Sequence, residues 1–209
     1  MALKDRIAFG MSLPHRSPDP IDVDAVRTVA QRAEALGFRD LWVTENTLDH
    51  VTCLDPVVAL TYAAAVTSRI RLGASVVVLA IHSPLMVAHQ WATLDHLSNG
   101  RAILGVGLGR EHHYRQFEVP EEAKVRRFRE AVELIRALWS QPKVDYRGRF
   151  YHLEGGTMSP RPVQSPTANT SGTLVRPSSP ATVANWPRTG SKTWRQPSAR
   201  RISLDGSKP

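Results

Sequence analysis

The chain predicts an α/β fold built on a parallel sheet with helical crossovers, and three observations carry that prediction. Short aliphatic runs alternate with amphipathic helical stretches four times between residues 7 and 139. Two of the runs, over 71–78 and 101–106, are almost continuously apolar, as strands buried on both faces are. The junctions carry turn chemistry: Asp22 stands where a helix cap belongs, Gly37 follows the first helix, and Asp55-Pro56 and Ser83-Pro84 open helices with proline in the first turn.

In chain order, Ile7-Ala8-Phe9-Gly10 reads as a short first strand and residues 23–36 as the first helix. The second strand covers 40–44, a loop runs over 45–54, and a helix follows to Thr67. The third strand covers 71–78, with a helix from Pro84 to Leu97, and the fourth covers 101–106. A helix over 121–139 shows Val125, Phe128, Val132, Ile135 and Leu138 on one stripe, which is a packing face. Residues 143–146 and 150–153 flank Arg147-Gly148-Arg149 and read as an inserted hairpin. From Ser165 the text turns to Ser, Thr, Pro, Asn and Arg without helical or strand period, so two regions are expected: a body over 1–164 and a disordered basic tail over 165–209. A frameshifted end would produce such text, and a selected basic tail is the other explanation.

The net charge of +8 points to an anionic partner only at first sight. Residues 165–209 hold seven basic side chains against Asp205 alone, leaving the body at about +2. Trp186 and Trp194 within that tail could stack on bases, so a single-stranded nucleic-acid binder is the competing class; it lacks an ordered platform. Cys53 is the sole cysteine, which excludes an intrachain disulfide and any CxxC motif. Charges at Lys4, Asp5 and Arg6 stand where a signal peptide needs its apolar stretch, and no apolar run reaches membrane-spanning length, so a cytoplasmic location is expected.

Gly105-Val106-Gly107-Leu108-Gly109 places glycines at a strand end, where backbone can approach a phosphate. The spacing is wrong for GxGxxG, the strand is the fourth rather than the first, and Arg110-Glu111-His112-His113-Tyr114 does not open a clean helix. His82, His89 and His96 recur every seven residues, two helical turns apart, and with His112-His113 they do not make a shared metal site; no metal is expected.

Four sets of residues, in order, resemble the bacterial luciferase-like family, in the branch that uses the deazaflavin coenzyme F420 or, in sister branches, FMN. They are Asp40-Leu41-Trp42-Val43-Thr44-Glu45-Asn46; Leu72-Gly73-Ala74-Ser75-Val76; Gly100-Arg101 with Leu104-Gly105-Val106-Gly107-Leu108-Gly109; and Tyr146 to Tyr151 leading to Ser159-Pro160-Arg161-Pro162-Val163-Gln164. The resemblance covers about residues 6–164. It implies a partial TIM (β/α)8 barrel: about four βα units, an inserted helix and hairpin, then the tail. The family's fifth strand is not expected to follow.

The resemblance also implies a site at the C-terminal ends of the strands. Glu45 would contact the cofactor ring. Asn46, which cannot act as a general base, would orient a carbonyl or hydroxyl where relatives place a histidine. Ser75-Val76 matches the position of a non-prolyl cis peptide beneath the ring, although an ordinary buried strand accounts equally for those residues. Val78, Leu108, Gly109 and His113 match cofactor contacts. Relatives carry a glutamate directly after that glycine; here Arg110 takes its place, and Glu111, one later, becomes the candidate proton acceptor. The implied chemistry is two-electron transfer to or from a small organic substrate, with coenzyme F420 as cofactor and FMN as the alternative. Later strands normally supply the phosphate grip, and four strands cannot close a barrel, so the expectation divides between a homodimer that rebuilds eight strands and an unstable, inactive paralogue.

Overall fold

The computed structural model describes residues 8–164 and 175–177. Its main sheet has five parallel strands: β1 (Gly10–Ser12), β3 (Asp40–Val43), β5 (Arg71–Val78), β6 (Ala102–Gly107) and β9 (Val175–Pro177), side by side in that order. Two short antiparallel pairs accompany it: β2 (Arg16–Ser17) with β4 (Thr52–Cys53), and β7 (Val144–Arg147) with β8 (His152–Gly156). The helices are α1 (Val23–Ala35), α2 (Pro56–Val66), α3 (Pro84–Leu97), α4 (Glu111–Gln116) and α5 (Lys124–Ser140). Spatial order follows chain order without reversal. A doubly wound sheet reverses its strand order at a switch point, whereas a barrel adds each strand to the same advancing edge. This sheet is wound as a barrel is.

The helix boundaries have the local causes read from the sequence. Asp22 accepts the backbone N–H groups of Asp24 and Ala25 at 2.9 and 3.1 Å, and Asp55 accepts that of Val58 at 2.9 Å. One face of the sheet packs against α1, α2, α3 and α5. Leu41, Val43, Leu72, Ala74, Ala102, Leu104 and Val106 meet Ala30, Leu60, Ala63, Trp91, Leu134 and Ile135 there, all buried. The C-terminal end of α5 is latched to α3 by Trp139, whose indole N–H donates to the Ala88 carbonyl at 2.9 Å.

The opposite face carries small residues beneath one large one. Trp42 lies half-buried across its two neighbouring strands, so that a methyl added at Gly10 or Gly73 would collide with the indole. Below it Asp40, 2% exposed, accepts the Arg71 Nε–H at 2.6 Å and the Arg39 Nε–H at 2.9 Å. This ion cluster holds the N-terminal ends of β3 and β5 together. The upper end of the sheet is left open above Trp42.

Three readings from the sequence are corrected. The first strand is Gly10–Ser12, three residues beyond the expected start, because pairing with Asp40, Leu41 and Trp42 sets its register. A fifth strand, Val175–Pro177, lies inside the segment expected to have none; it pairs with Leu104, Gly105 and Val106 of β6. No period of 2 announces it, since three residues are too few to show one. Gln164, the last described residue before it, is tied down by its side-chain amide, which donates to Asp95 at 2.6 Å and to the Ala102 carbonyl at 2.9 Å. Finally, residues 111–116 do form a helix. The rest of the tail, with Trp186 and Trp194, lies outside the described residues. Among the described residues no helix is long and apolar enough to cross a membrane.

Candidate functional site

The C-terminal ends of β3, β5 and β6 open into a cleft of about 850 Å³. Its floor includes Ser75, Val76, Val78 and Gly109, and one wall is the loop from Thr44 to His50. The other wall is Arg110, His112, His113 and Gln116, from the turn after β6 and from α4. That volume falls within the range of small-molecule and cofactor sites.

The floor is shaped by close backbone approach. The Ser75–Val76 peptide bond is cis, at the position that the resemblance singles out, and the β5–β6 register shifts between Ala74 and Val77. A Cβ at Gly107 would stand 2.6 Å from Val76 Cγ2. One at Gly109 would stand 2.5 Å from Val78 Cγ1, and Gly109 has φ +77°, a conformation L side chains avoid. Both glycines let the β6 turn settle against the β5 bulge, which makes a shallow cradle.

Glu45 ties this floor to the wall. Its side chain is 3% exposed; Oε2 accepts the Val78 backbone N–H at 2.5 Å and Oε1 faces His82 Nε2 at 2.5 Å. Both oxygens are thus engaged with protein, and the carboxylate positions Val78. Behind it, buried His15 accepts the Thr44 N–H on Nε2 at 2.9 Å while its Nδ1 bonds the Leu13 carbonyl at 2.7 Å, fixing the end of β3. Asn46 donates its side-chain amide to Asp49, which also receives Arg16. The Arg16 guanidinium, followed by the His50 N–H, holds the Asp49 carboxyl below its usual range.

On the second wall Arg110 donates its backbone N–H to His113 Nδ1 at 2.9 Å. An N–H donor needs a lone pair there, so the ring proton sits on Nε2. Burial, then the adjacent His112, pushes the His113 pKa below its ordinary value. The two rings stand 4.0 Å apart between centroids. Tyr114, 1% exposed, anchors α4 by donating its hydroxyl to the Leu108 carbonyl at 2.5 Å. That buried anchor explains the helix that so polar a stretch does not predict.

Seven of the nine residues named from the sequence therefore share one cleft: Glu45, Asn46, Ser75, Val76, Val78, Gly109 and His113. Two do not line it. Leu108 packs against the core beside it, and Glu111 is exposed in the first turn of α4, while Arg110 takes the place in the wall. Sequence reading missed His82, Arg16 and Asp49. The regular spacing of His82 from His89 suggests a metal ligand and hides its pairing with Glu45. Among the described residues no group of three or more potential ligands could hold a metal ion.

The histidines give the site a pH signature of two signs. Hydrogen bonding to Glu45 raises the His82 pKa above 6.5. Its stabilising effect is complete below the unfolded-state value and disappears as pH rises through the higher folded value. His113 acts oppositely: its folded pKa lies below 6.5, so stability falls as pH drops through that range. H82Q should abolish the loss on the alkaline side while leaving the acid loss, in urea denaturation from pH 5 to 9. An unchanged alkaline limb would show that the His82–Glu45 contact contributes nothing to stability.

The model of the luciferase-like monooxygenase family matches residues 7–184. F420-dependent glucose-6-phosphate dehydrogenase of Kineococcus radiotolerans is 38% identical over 143 residues, 65% of this chain and 42% of that enzyme. The crystal structure of monooxygenase RslO1 from Streptomyces bottropensis superposes with a TM-score of 0.68 at 31% identity, over 77% of this chain and 51% of that one. The coenzyme F420-dependent tetrahydromethanopterin reductase of Methanopyrus kandleri gives 0.63 at 26%, over 76% and 48%. The chain spans about half the length of the relatives it matches.

Proposed function

Because the chain belongs to the luciferase-like monooxygenase family, we propose that its cleft binds the ring system of coenzyme F420 and serves two-electron transfer to or from a small organic substrate. The observation that carries this reading is the cradle of Ser75, Val76, Val78 and Gly109 at the strand ends, which forms because Gly107 and Gly109 lack the Cβ that would collide with Val76 and Val78 and so let the β6 turn close against the β5 bulge. Relatives and neighbours named as F420-dependent support the deazaflavin over FMN.

When bound, the deazaflavin supplies hydride transfer. The chain's own residues orient it and control protons. Ser75, Val76 and Val78 support one face. Glu45, through the Val78 N–H, keeps that support in place. His113 offers an Nε2–H as donor, because its Nδ1 is occupied by the Arg110 N–H. Asn46, held by Asp49, orients a carbonyl or hydroxyl oxygen of the substrate. No carboxylate of the cleft is free to accept a proton, since Glu45 is engaged by His82 and Val78, and Asp49 by Arg16 and Asn46.

Equilibrium titration of the full chain with coenzyme F420 and with FMN, followed by fluorescence, tests the reading. Micromolar binding of F420, at least tenfold tighter than FMN, is expected. Tighter FMN binding would reassign the cofactor, and no binding of either would defeat the proposal.

A further inference from the structure

The ionisable groups lining the cleft are unevenly paired. Its two acids are both engaged by protein: Asp49 pairs with Arg16, and Glu45 accepts from the Val78 N–H and meets His82. The cation on the opposite wall has no such partner. Arg110 is exposed at the start of α4, its side chain lines the cleft, and no carboxylate of the described residues forms an ion pair with it. Beside it stand two imidazoles. His113 is 9% exposed, and with Nδ1 taken by the Arg110 N–H its ring proton sits on Nε2. One wall therefore presents a guanidinium and an imidazole N–H to the same space, and no carboxylate of the described residues forms an ion pair with that guanidinium.

A guanidinium is a planar fork of donors that matches the two oxygens of a carboxylate or phosphate, and it stays charged at any working pH. A neutral substrate would leave that charge without a partner in a site whose carboxylates are already held by protein groups. The geometry points to an anionic substrate: Arg110 takes a carboxylate or phosphate group at the lip of the cleft, with His112 beside it, while Asn46 faces the reacting oxygen from the opposite wall. The substrate assignment rests on the function proposed above, but the anion site itself does not.

The test uses the full chain with inorganic phosphate as probe, without cofactor, followed by the imidazole resonances of His112 and His113. Saturable binding is expected, weakened at least tenfold in R110M, partly kept in R110K, and unchanged in R32M, which removes an exposed arginine of the outer helix α1. Coenzyme F420 affinity should stay within about twofold in R110M. Equal phosphate binding by wild type and R110M would overturn the anion site. Loss of F420 affinity in parallel with phosphate affinity would overturn the substrate assignment, because Arg110 would then grip the coenzyme's own phosphate. A wild type that binds phosphate through Arg110 but neither cofactor would support the anion site while defeating the function proposed above.

Discussion

Replacing Arg101 with methionine is expected to cost about 4 kcal/mol of folding stability, read as a lower urea midpoint, while the residues of the cleft keep their arrangement. Arg101 is 9% exposed and precedes β6 at the end of the sheet opposite the cleft. Its Nε–H donates to the Ser98 carbonyl at 2.6 Å. One terminal nitrogen reaches Thr67 Oγ1 at 3.0 Å and the Ile70 carbonyl at 2.9 Å; the other reaches the carbonyls of Ala64 and Thr67 at 3.0 and 3.1 Å. The guanidinium thus satisfies orphan carbonyls at the end of α2 and in the loop that launches β5. Methionine fills similar space without a single donor, leaving those oxygens unpaired; hydrogen bonds to a charged group contribute about 1.5–3 kcal/mol each, and water entering the gap recovers part. Lysine, a single point donor, should restore less than half. A variant within 1 kcal/mol of wild type would show that the fan of bonds is redundant.

Glu45 should produce the largest loss at the cleft. E45A leaves the Val78 N–H and His82 without their acceptor, removing about 3 kcal/mol of positioning, so coenzyme F420 binding is expected to weaken about a hundredfold. E45Q keeps an oxygen for the Val78 N–H and gives up only the charge opposite His82, so a loss of about tenfold is expected. The order of the two variants separates support of the floor from charge. Equal losses in E45A and E45Q would mean that the negative charge matters and the Val78 hydrogen bond does not. Circular dichroism of both variants should match wild type, because Glu45 lies on a loop outside the helical layer.

How much of this site was legible depended on whether a residue acts through its own type or through a partner far along the chain. Glycine, proline and aspartate announce local needs. Gly107 and Gly109 stood out as a strand-end turn, and Asp22, Asp55 and Pro56 marked helix starts that the structure keeps. His82 could not be read in the same way. Its role depends on Glu45, 37 residues earlier, and nothing in its neighbours encodes that pairing. Arg110 and Glu111 were distinguishable only by the path of the turn, because a shift of one residue exchanges a wall position for a solvent position.

The sequence by itself determined the alternation of strands and helices, the parallel sheet and the packing face of α5. These follow from periodicity and local turn chemistry, which act within a few residues. Only the tertiary structure decided the fifth strand, the register of β1, the helix carrying His113, and the pairing of His82 with Glu45. Each of these rests on contacts between distant segments: β9 on β6, β1 on β3, and the Tyr114 ring buried with its hydroxyl on Leu108. Burial and pairing across the sheet override weak local preference, and a three-residue strand or a six-residue polar helix has too little local signal of its own to resist.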